Sequence, residues 1–316
     1  HVLDTSGFIN ESDMVLEERT KMMHYGLDQI DETGGLLFLY AGSLDMRCHM
    51  LWHTSDADHP HQEGPGEYDG VPYDKQIDRV YSQIDTMFGE LMARVDELEK
   101  EHGEEIEVIV MSDHGFAPFR RKMHMNDWLV QEGYLVMADG KTKTGAHGLA
   151  GDDIDWSKSK AYAVGFNGII INRQDRESQG IVSDSEAVAL MAEMTSKLMA
   201  MTDQGNKVFT AIKRADEVFS GEQLAQAPDL QLGFNIGYGA SDECATGAVT
   251  GEGVIVDNDS RWSGSHLMDP ELVRGTIVSV NGRDLVKDPA LEDITATLYK
   301  LFAVEAPDNL DGVPLF

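Results

Sequence analysis

Two acid–histidine pairs and one later histidine are the residues of this chain whose types could hold metal ions. The first pair, Asp45 and His49, is four positions apart, so a helical turn would place both side chains on one face. A carboxylate and an imidazole on the same face suit a divalent metal ion. The alternative is an acidic residue at a helix start beside a surface histidine.

The second pair, Asp113 and His114, directly follows the apolar run IEVIVM at residues 106–111. In α/β proteins ligands gather at the carboxyl ends of strands, and Gly115 would let the backbone turn there. The alternative is that Asp113 caps a following helix. His266 ends a long glycine-rich stretch, and taken alone it would be structural or incidental. Together the two pairs and this histidine supply much of a two-metal site.

The elements that must position these residues alternate between apolar runs and helical patterns. This alternation predicts an α/β protein with a mostly parallel sheet. The patterns predict helices at 11–26, 74–100, 184–201 and 291–302, and strands at 36–40, 106–111, 162–172, 208–213 and 229–234.

Two polar, glycine-rich stretches interrupt the alternation, at residues 138–160 and 235–265. Loops of this length in a compact domain tend to be functional or mobile. No stretch of the sequence has the clear composition of a linker. We therefore expect one α/β domain over residues 1–316, with loop excursions near these two places.

The charge of the chain restricts its partners. There are 56 acidic and 25 basic residues, which gives a net charge of −31. Such a surface repels nucleic acid and anionic membranes, so no nucleic-acid polymer is expected as a partner. An anionic substrate would need local positive charge, which bound metal ions can supply.

The compartment and the assembly state follow less directly from the sequence. No segment is apolar enough to span a bilayer, so we expect a soluble protein, with the cytoplasm favoured over a secreted or periplasmic location. Cys48 and Cys244 form neither a disulfide framework nor a zinc-ribbon pattern. Nothing in the sequence indicates the oligomeric state.

The order of the motifs LDMRCHMLWHTSDADHP, VIVMSDHGF and WSGSHL resembles the alkaline phosphatase superfamily. The closest likeness is to its type I phosphodiesterase/nucleotide pyrophosphatase branch, and it extends over most of residues 30–316, including the closing DITATLYKLFAVEAPDNLDGVPL. The resemblance implies an alkaline-phosphatase-like three-layer α/β/α fold with a mostly parallel central sheet. It also implies a phosphoric ester hydrolase that acts on a small phosphoester or a nucleotide.

The same resemblance implies roles for the five residues. Asp45, His49 and His266 would hold one divalent metal ion, and Asp113 and His114 would help to hold another. Zinc is the expected metal, with manganese as the alternative. Two such ions clamp the attacking and leaving oxygens of a displacement at phosphorus, with a Thr or Ser hydroxyl as the nucleophile.

The family pattern also contains an early Asp and the Thr or Ser nucleophile, both well before the strand that corresponds to residues 36–40. Asp4 and Thr5 are adjacent, which is too close for them to supply both roles. We therefore expect the chain to lack the N-terminal part of the family domain, with its first strand or strands. The alternatives are a non-catalytic metal-binding or structural remnant of the fold, or a phosphomonoesterase, phosphomutase or sulfatase activity.

Several other polar residues are expected to be structural or solvated. His53, His59 and His61 could form a local metal cluster, but a solvated loop is the favoured interpretation. His124 and His147 have no partner pattern and are expected at the surface.

A basic trio and a tryptophan lie next to the predicted ligands in the sequence. Arg120, Arg121 and Lys122 could contact a substrate phosphate, although a solvated loop is again favoured. Trp262, four residues before His266, is a candidate wall of the site.

Overall fold

Helices and short strands alternate through the protein, which a computed structural model describes for residues 2–30 and 34–316. The helices are α1 (Thr5–Leu27), α2 (Ser43–Ser55), α3 (Gln76–His102), α4 (Met125–Gln131), α5 (Asp184–Met199), α6 (Ala215–Val218) and α7 (Asp293–Leu301). Among the described helices, none is both long and apolar enough to cross a membrane.

The strands are mostly short. They are β1 (Glu67–Tyr68), β2 (Val71–Pro72), β3 (Ile109–Met111), β4 (Ala117–Met123), β5 (Ala161–Tyr162), β6 (Gly168–Ile171), β7 (Thr202–Asp203), β8 (Asn206–Lys207), β9 (Phe209–Arg214), β10 (Leu230–Phe234), β11 (Gly237–Ala240), β12 (Ile255–Asp257), β13 (Gly264–Ser265) and β14 (Ile277–Ser279). The mixed α/β class predicted from the sequence is confirmed.

The described residues group into two compact units. The first unit takes its residues from His1–Ile9, Leu44–Arg79 and Phe116–Val273. The second takes its residues from Asn10–Ser43, Val80–Gly115 and Arg274–Phe316. The expectation of one domain over residues 1–316 stays a prediction.

The main core of the first unit lies between an antiparallel sheet and helix α5. The sheet has the strand order β5-β6-β10-β9. Phe209 on β9 and Phe234 on β10 are fully buried, with ring centroids 4.8 Å apart. Leu198 and Met194 on α5 are buried in the same cluster. Each fully buried side chain of this kind contributes roughly 1.5–3 kcal/mol through the hydrophobic effect.

A second sheet of the first unit is built around β4. Strand β11 pairs with β4 in parallel, whereas β12 and β13 pair with it antiparallel. The stretch at residues 235–265, expected to be a loop excursion, therefore supplies three strands. The glycines of this stretch are typical of loops, so the sequence does not indicate these strands. A Cβ at Gly239 on β11 would lie 2.9 Å from the Phe119 ring, so only glycine allows β11 to approach β4 this closely.

The strand directions differ from the mostly parallel order that the sequence predicts. Among the named strand pairs, only β4 and β11 run parallel. For β5 and β6 the reason is the length of the link. Residues 163–167, which join β5 to β6, can reverse a strand but cannot carry the helix of a parallel crossover.

Helix α2 packs on a small cluster of its own within the first unit. Met50 and Leu51 are buried there together with Ile9. Tyr68, Tyr73 and Trp262 are among the partly buried residues that pack against them. Trp262 therefore joins α2 to the stretch that precedes His266.

The second unit contains the antiparallel pair β3 and β14, together with most of α1 and α3 and all of α7. Val80, Val95 and Leu98 on the apolar face of α3 are buried, as predicted. The predicted strand at residues 36–40 differs: no strand is assigned there, and Phe38 is 72% exposed. An apolar run alone does not make a strand, because its backbone groups also need a partner.

Asp229, directly before β10, is a buried acid of the first unit with several hydrogen-bond donors around it. Its carboxylate accepts hydrogen bonds from Arg173 Nε at 2.9 Å, from an Arg176 guanidinium nitrogen at 2.6 Å and from the Ile171 backbone N–H at 2.7 Å. Only 5% of the side chain is exposed. The carboxylate thus fixes the ends of β6 and β10.

Asp229→Ala is expected to destabilise the protein by about 3 kcal/mol or more, because it leaves two partly buried guanidinium groups without their shared acceptor. Asp216→Ala is the matched control: Asp216 pairs with Arg214, and both side chains are about half exposed. Such exposed pairs contribute little to stability. Urea denaturation measures both variants, and equal losses of stability would contradict the role given to Asp229.

Candidate metal centre

Asp45 and His49 lie on one face of α2, as their spacing predicts. Asp45 Oδ1 is 3.6 Å from His49 Nε2. Asp45 lies in the first turn of the helix, where the positive end of the helix dipole favours a carboxylate. His49 is buried, so the alternative of a surface histidine is wrong.

The orientation of the His49 ring is fixed by three groups of the first unit. His49 Nδ1 is 2.8 Å from the backbone oxygen of Gly264, and a carbonyl can only accept, so Nδ1 carries the proton. The Trp262 ring stacks on the imidazole at 3.8 Å between centroids, and Phe116 meets it edge-on at 4.7 Å. The lone pair then lies on Nε2, the nitrogen nearer to Asp45.

His266 lies close to both residues of α2. Asp45 and His266 offer ligand atoms within 4.8 Å of one another, and the rings of His49 and His266 have centroids 5.2 Å apart. The first unit therefore brings together a carboxylate and two imidazoles. This donor set fits zinc, which takes nitrogen ligands from histidine and oxygen ligands from Asp.

Asp113 and His114 lie in the second unit, directly after β3. Asp113 Oδ2 is 3.4 Å from His114 Nε2, and the Asp113 side chain is 56% exposed. No helix follows: the chain continues into β4, so the alternative that Asp113 caps a helix is wrong. A Cβ at Gly275 would lie 2.4 Å from Ser112 O, so this glycine lets the backbone approach the turn, a contact that sequence reasoning did not find.

Cys48, next to His49 in the sequence, is a buried free cysteine. Burial, together with the nearby Asp45 carboxylate, raises the pKa of the Cys48 thiol to about 12. A thiol with this pKa stays protonated at neutral pH. Cys244 is also buried and free.

Of the three histidines that follow His49, His61 lies in a loop and is partly exposed, whereas the other two are not solvated. His53 and His59 are buried, which corrects the sequence-based interpretation. His59 Nε2 is 2.8 Å from the Phe119 backbone oxygen, and His53 contacts Ser263 and Glu63. The signal in the sequence was the spacing: His53 follows His49 by four residues and therefore shares its helical face.

The basic trio lies on β4 rather than on a solvated loop. Arg120 donates two hydrogen bonds of 2.7 Å to Asp56. Arg121 pairs with Asp203 at 2.8 Å and also with Asp257. These guanidinium groups are held by carboxylates of the first unit, so the structure gives no support to a phosphate contact.

Four further residues complete the outcome. His124 is buried rather than at the surface, 4.0 Å from Glu243, whereas His147 is exposed as expected. Thr5 is buried and donates its hydroxyl to Glu63 at 2.6 Å. Asp4 accepts from the Gly7 N–H at 2.7 Å and so caps α1. Asp4 and Thr5 therefore have structural partners within the first unit.

His53→Gln is expected to weaken the acid sensitivity of the protein. Burial lowers the pKa of His53 to about 4 from an ordinary value of 6.5. The unfolded chain therefore takes up a proton between pH 6.5 and pH 4 while the folded protein does not. Stability is complete above pH 6.5 and falls as the pH decreases, by roughly 1 kcal/mol per pH unit.

Denaturation midpoints at pH 7.0, 5.5 and 4.5, measured with a chelator present, test this prediction. The difference in stability between wild type and His53→Gln should change steadily over this range. Parallel pH profiles for the two proteins would show that His53 does not titrate in this way.

Comparison with protein families gives one match. The model of the family described as type I phosphodiesterase/nucleotide pyrophosphatase matches residues 8–253, most of the chain. Asp45, His49, Asp113 and His114 lie inside the matched region, and His266 follows it. Comparisons with curated proteins and with solved structures found no match. The extent of the family match shows that the chain belongs to the type I phosphodiesterase/nucleotide pyrophosphatase family.

Proposed function

We propose that the protein is a metal-dependent hydrolase of small phosphodiesters or nucleotide pyrophosphates. The observation that carries the proposal is the meeting of Asp45, His49 and His266 within the first unit of a chain that belongs to this family. The family supports hydrolysis of a phosphoester, and the three side chains have the chemistry of a divalent-metal site.

Each of the three residues has a defined part in holding the first ion. Asp45 supplies a carboxylate oxygen and one negative charge. The Gly264 carbonyl holds the proton of His49 on Nδ1, so Nε2 is the coordinating nitrogen. His266 supplies the second imidazole. We assign zinc to this site, with manganese as the alternative metal.

Asp113 and His114 are proposed as ligands of a second divalent ion. Their family-like position after a strand and their 3.4 Å separation support this assignment. When bound, such ions polarise a phosphoryl oxygen and lower the pKa of a hydroxyl or water.

The charge of the protein supports a metal-bearing site. The chain carries a net charge of −31, and a phosphodiester is an anion. Arg120 and Arg121 are held by carboxylates and so supply little free positive charge. A divalent ion ligated by neutral histidines and a single carboxylate leaves the site with positive charge for the substrate.

Replacement of ligand residues in the full-length protein tests the proposal. Asp45→Asn, His266→Ala and Asp113→Ala should each lower kcat/KM with bis-p-nitrophenyl phosphate or a nucleotide diester by roughly 100-fold or more. The reason is that a metal ion supplies several kcal/mol of transition-state stabilisation, and each 1.4 kcal/mol is a factor of ten. Zinc and manganese are titrated into chelator-treated protein before each assay.

His147→Ala is the matched control, because His147 is an exposed histidine outside the proposed ligand set. It should bind metal and turn over substrate like the wild type. Metal binding without turnover would favour the non-catalytic alternative. The hydrolase proposal would be overturned if no metal gave turnover while Asp113→Ala and wild type bound metal equally.

A further inference from the structure

Ser263 joins the stretch before His266 to helix α2 through its backbone N–H and hydroxyl, and to strand β4 through its carbonyl. Its backbone N–H donates to the His49 carbonyl at 2.7 Å, and its own carbonyl accepts from the Phe119 N–H at 2.7 Å. Its hydroxyl oxygen accepts from the His53 backbone N–H at 3.0 Å. Ser263 is fully buried, so these bonds are made away from water.

The His53 ring completes this connection. His53 Nδ1 is 3.1 Å from Ser263 Oγ, and Nε2 is 3.4 Å from a carboxylate oxygen of Glu63. Because a carboxylate accepts, Nε2 is the donor nitrogen and Nδ1 is an acceptor that faces the Ser263 hydroxyl. The His49 carbonyl oxygen, 3.3 Å from Ser263 Oγ, is the second acceptor within reach of this hydroxyl. Glu63 in turn accepts from Thr5 at 2.6 Å and pairs with Arg261 at 3.5 Å.

The residues on either side of Ser263 are those that touch His49. Trp262 stacks on its ring, and the Gly264 carbonyl accepts from its Nδ1. The backbone has little freedom here, because a Cβ at Gly264 would lie 2.3 Å from the Cys48 carbonyl oxygen. A shift of Ser263 would therefore move Trp262 and the Gly264 carbonyl, which both contact the His49 ring. It would also move the backbone that leads to His266.

We infer that His53 and Ser263 are positioning residues that hold His49 and His266 in the orientation needed to bind a divalent metal ion. The inference rests on the proposed metal site. In this inference His53 supports the metal ligands and does not itself coordinate the ion, since both of its ring nitrogens face protein groups. Outer partners of this kind typically change metal affinity by about 10- to 100-fold when they are removed.

Cobalt(II) binding to chelator-treated protein tests the inference, with the visible absorption of the bound ion and isothermal titration as readouts. Ser263→Ala and His53→Leu should each weaken binding by about 10- to 100-fold. His53→Asn places an amide group where Nδ1 lies, so it should restore most of the affinity. If cobalt affinity is restored by His53→Asn but not by His53→Leu, the role of His53 is to form a hydrogen bond and not only to fill space.

Ser159→Ala is the matched control for the loss of a buried hydroxyl. Ser159 is also fully buried in the first unit, where it accepts from the Val136 N–H at 3.0 Å and donates to the Asp155 carbonyl at 2.8 Å. Its replacement should lower the Tm to a similar degree as Ser263→Ala but leave cobalt affinity unchanged. In metal-free protein, ring ¹⁵N NMR should show His49 protonated at Nδ1 in the wild type and a mixture of tautomers in Ser263→Ala.

The outcomes distinguish this inference from the proposed function. Wild-type cobalt affinity and an unchanged His49 tautomer in both Ser263→Ala and His53→Leu would overturn the positioning role alone. Equal cobalt binding by Asp45→Asn and wild type would overturn the proposed metal site, and the positioning role with it. If Ser263→Ala does not fold, the comparison of His53→Leu with His53→Asn decides the question.

Discussion

The close contact between residues 263–265 and helix α2 is the constraint on which the candidate metal centre depends. Asp45 and His49 need only a helical turn to share a face, but His266 comes from a distant part of the chain. Its approach requires a backbone without a side chain at Gly264, and the pairing of β13 with β4 holds that backbone in place. The three ligand groups therefore come together only if Asp45 and His49 lie on one helical turn and residues 263–265 also pack against α2.

The surroundings of His49 suit an imidazole that coordinates a metal. A coordinating histidine must be neutral at the nitrogen that binds, and its other nitrogen is commonly bonded to an acceptor that fixes the tautomer. Here the acceptor is a backbone carbonyl, and Trp262 and Phe116 limit rotation of the ring. Polar interactions within such a buried setting are stronger than they would be in water.

Much of the helical structure could be predicted from the sequence, because amphipathic spacing is a local property. Helix α3 was expected at residues 74–100 and is found at Gln76–His102. The strands around β4 could not be predicted, since glycine-rich segments such as residues 237–240 lack the alternating pattern and become strands only by approaching Phe119. Residues 36–40 show the converse case, in which an apolar run has no assigned strand.

In the candidate site, too, residues related by local spacing could be predicted from the sequence, whereas those brought together by long-range packing could not. The types and spacing of Asp45 and His49 indicated a shared helical face, and motif order added His266. Ser263 gave no signal, because a serine in a glycine-rich segment has no distinctive pattern until the fold brings it to α2. The four-residue spacing between His49 and His53 indicates that both lie on one helical face. This spacing was outweighed by the His and Asp residues that follow His53, because such a run is typical of a solvated loop.

The arginine pairs of the first unit also bear on how the whole molecule behaves in solution. Arg120, Arg121, Arg173 and Arg176 each bind carboxylates of the protein itself, so their charges are largely neutralised within the fold. The unbalanced acids that make up the net charge of −31 are left to face the solvent. The protein is therefore a polyanion whose folded state is opposed by repulsion among its own surface charges. Dissolved cations screen that repulsion, which makes the ionic strength of the medium a determinant of its compactness.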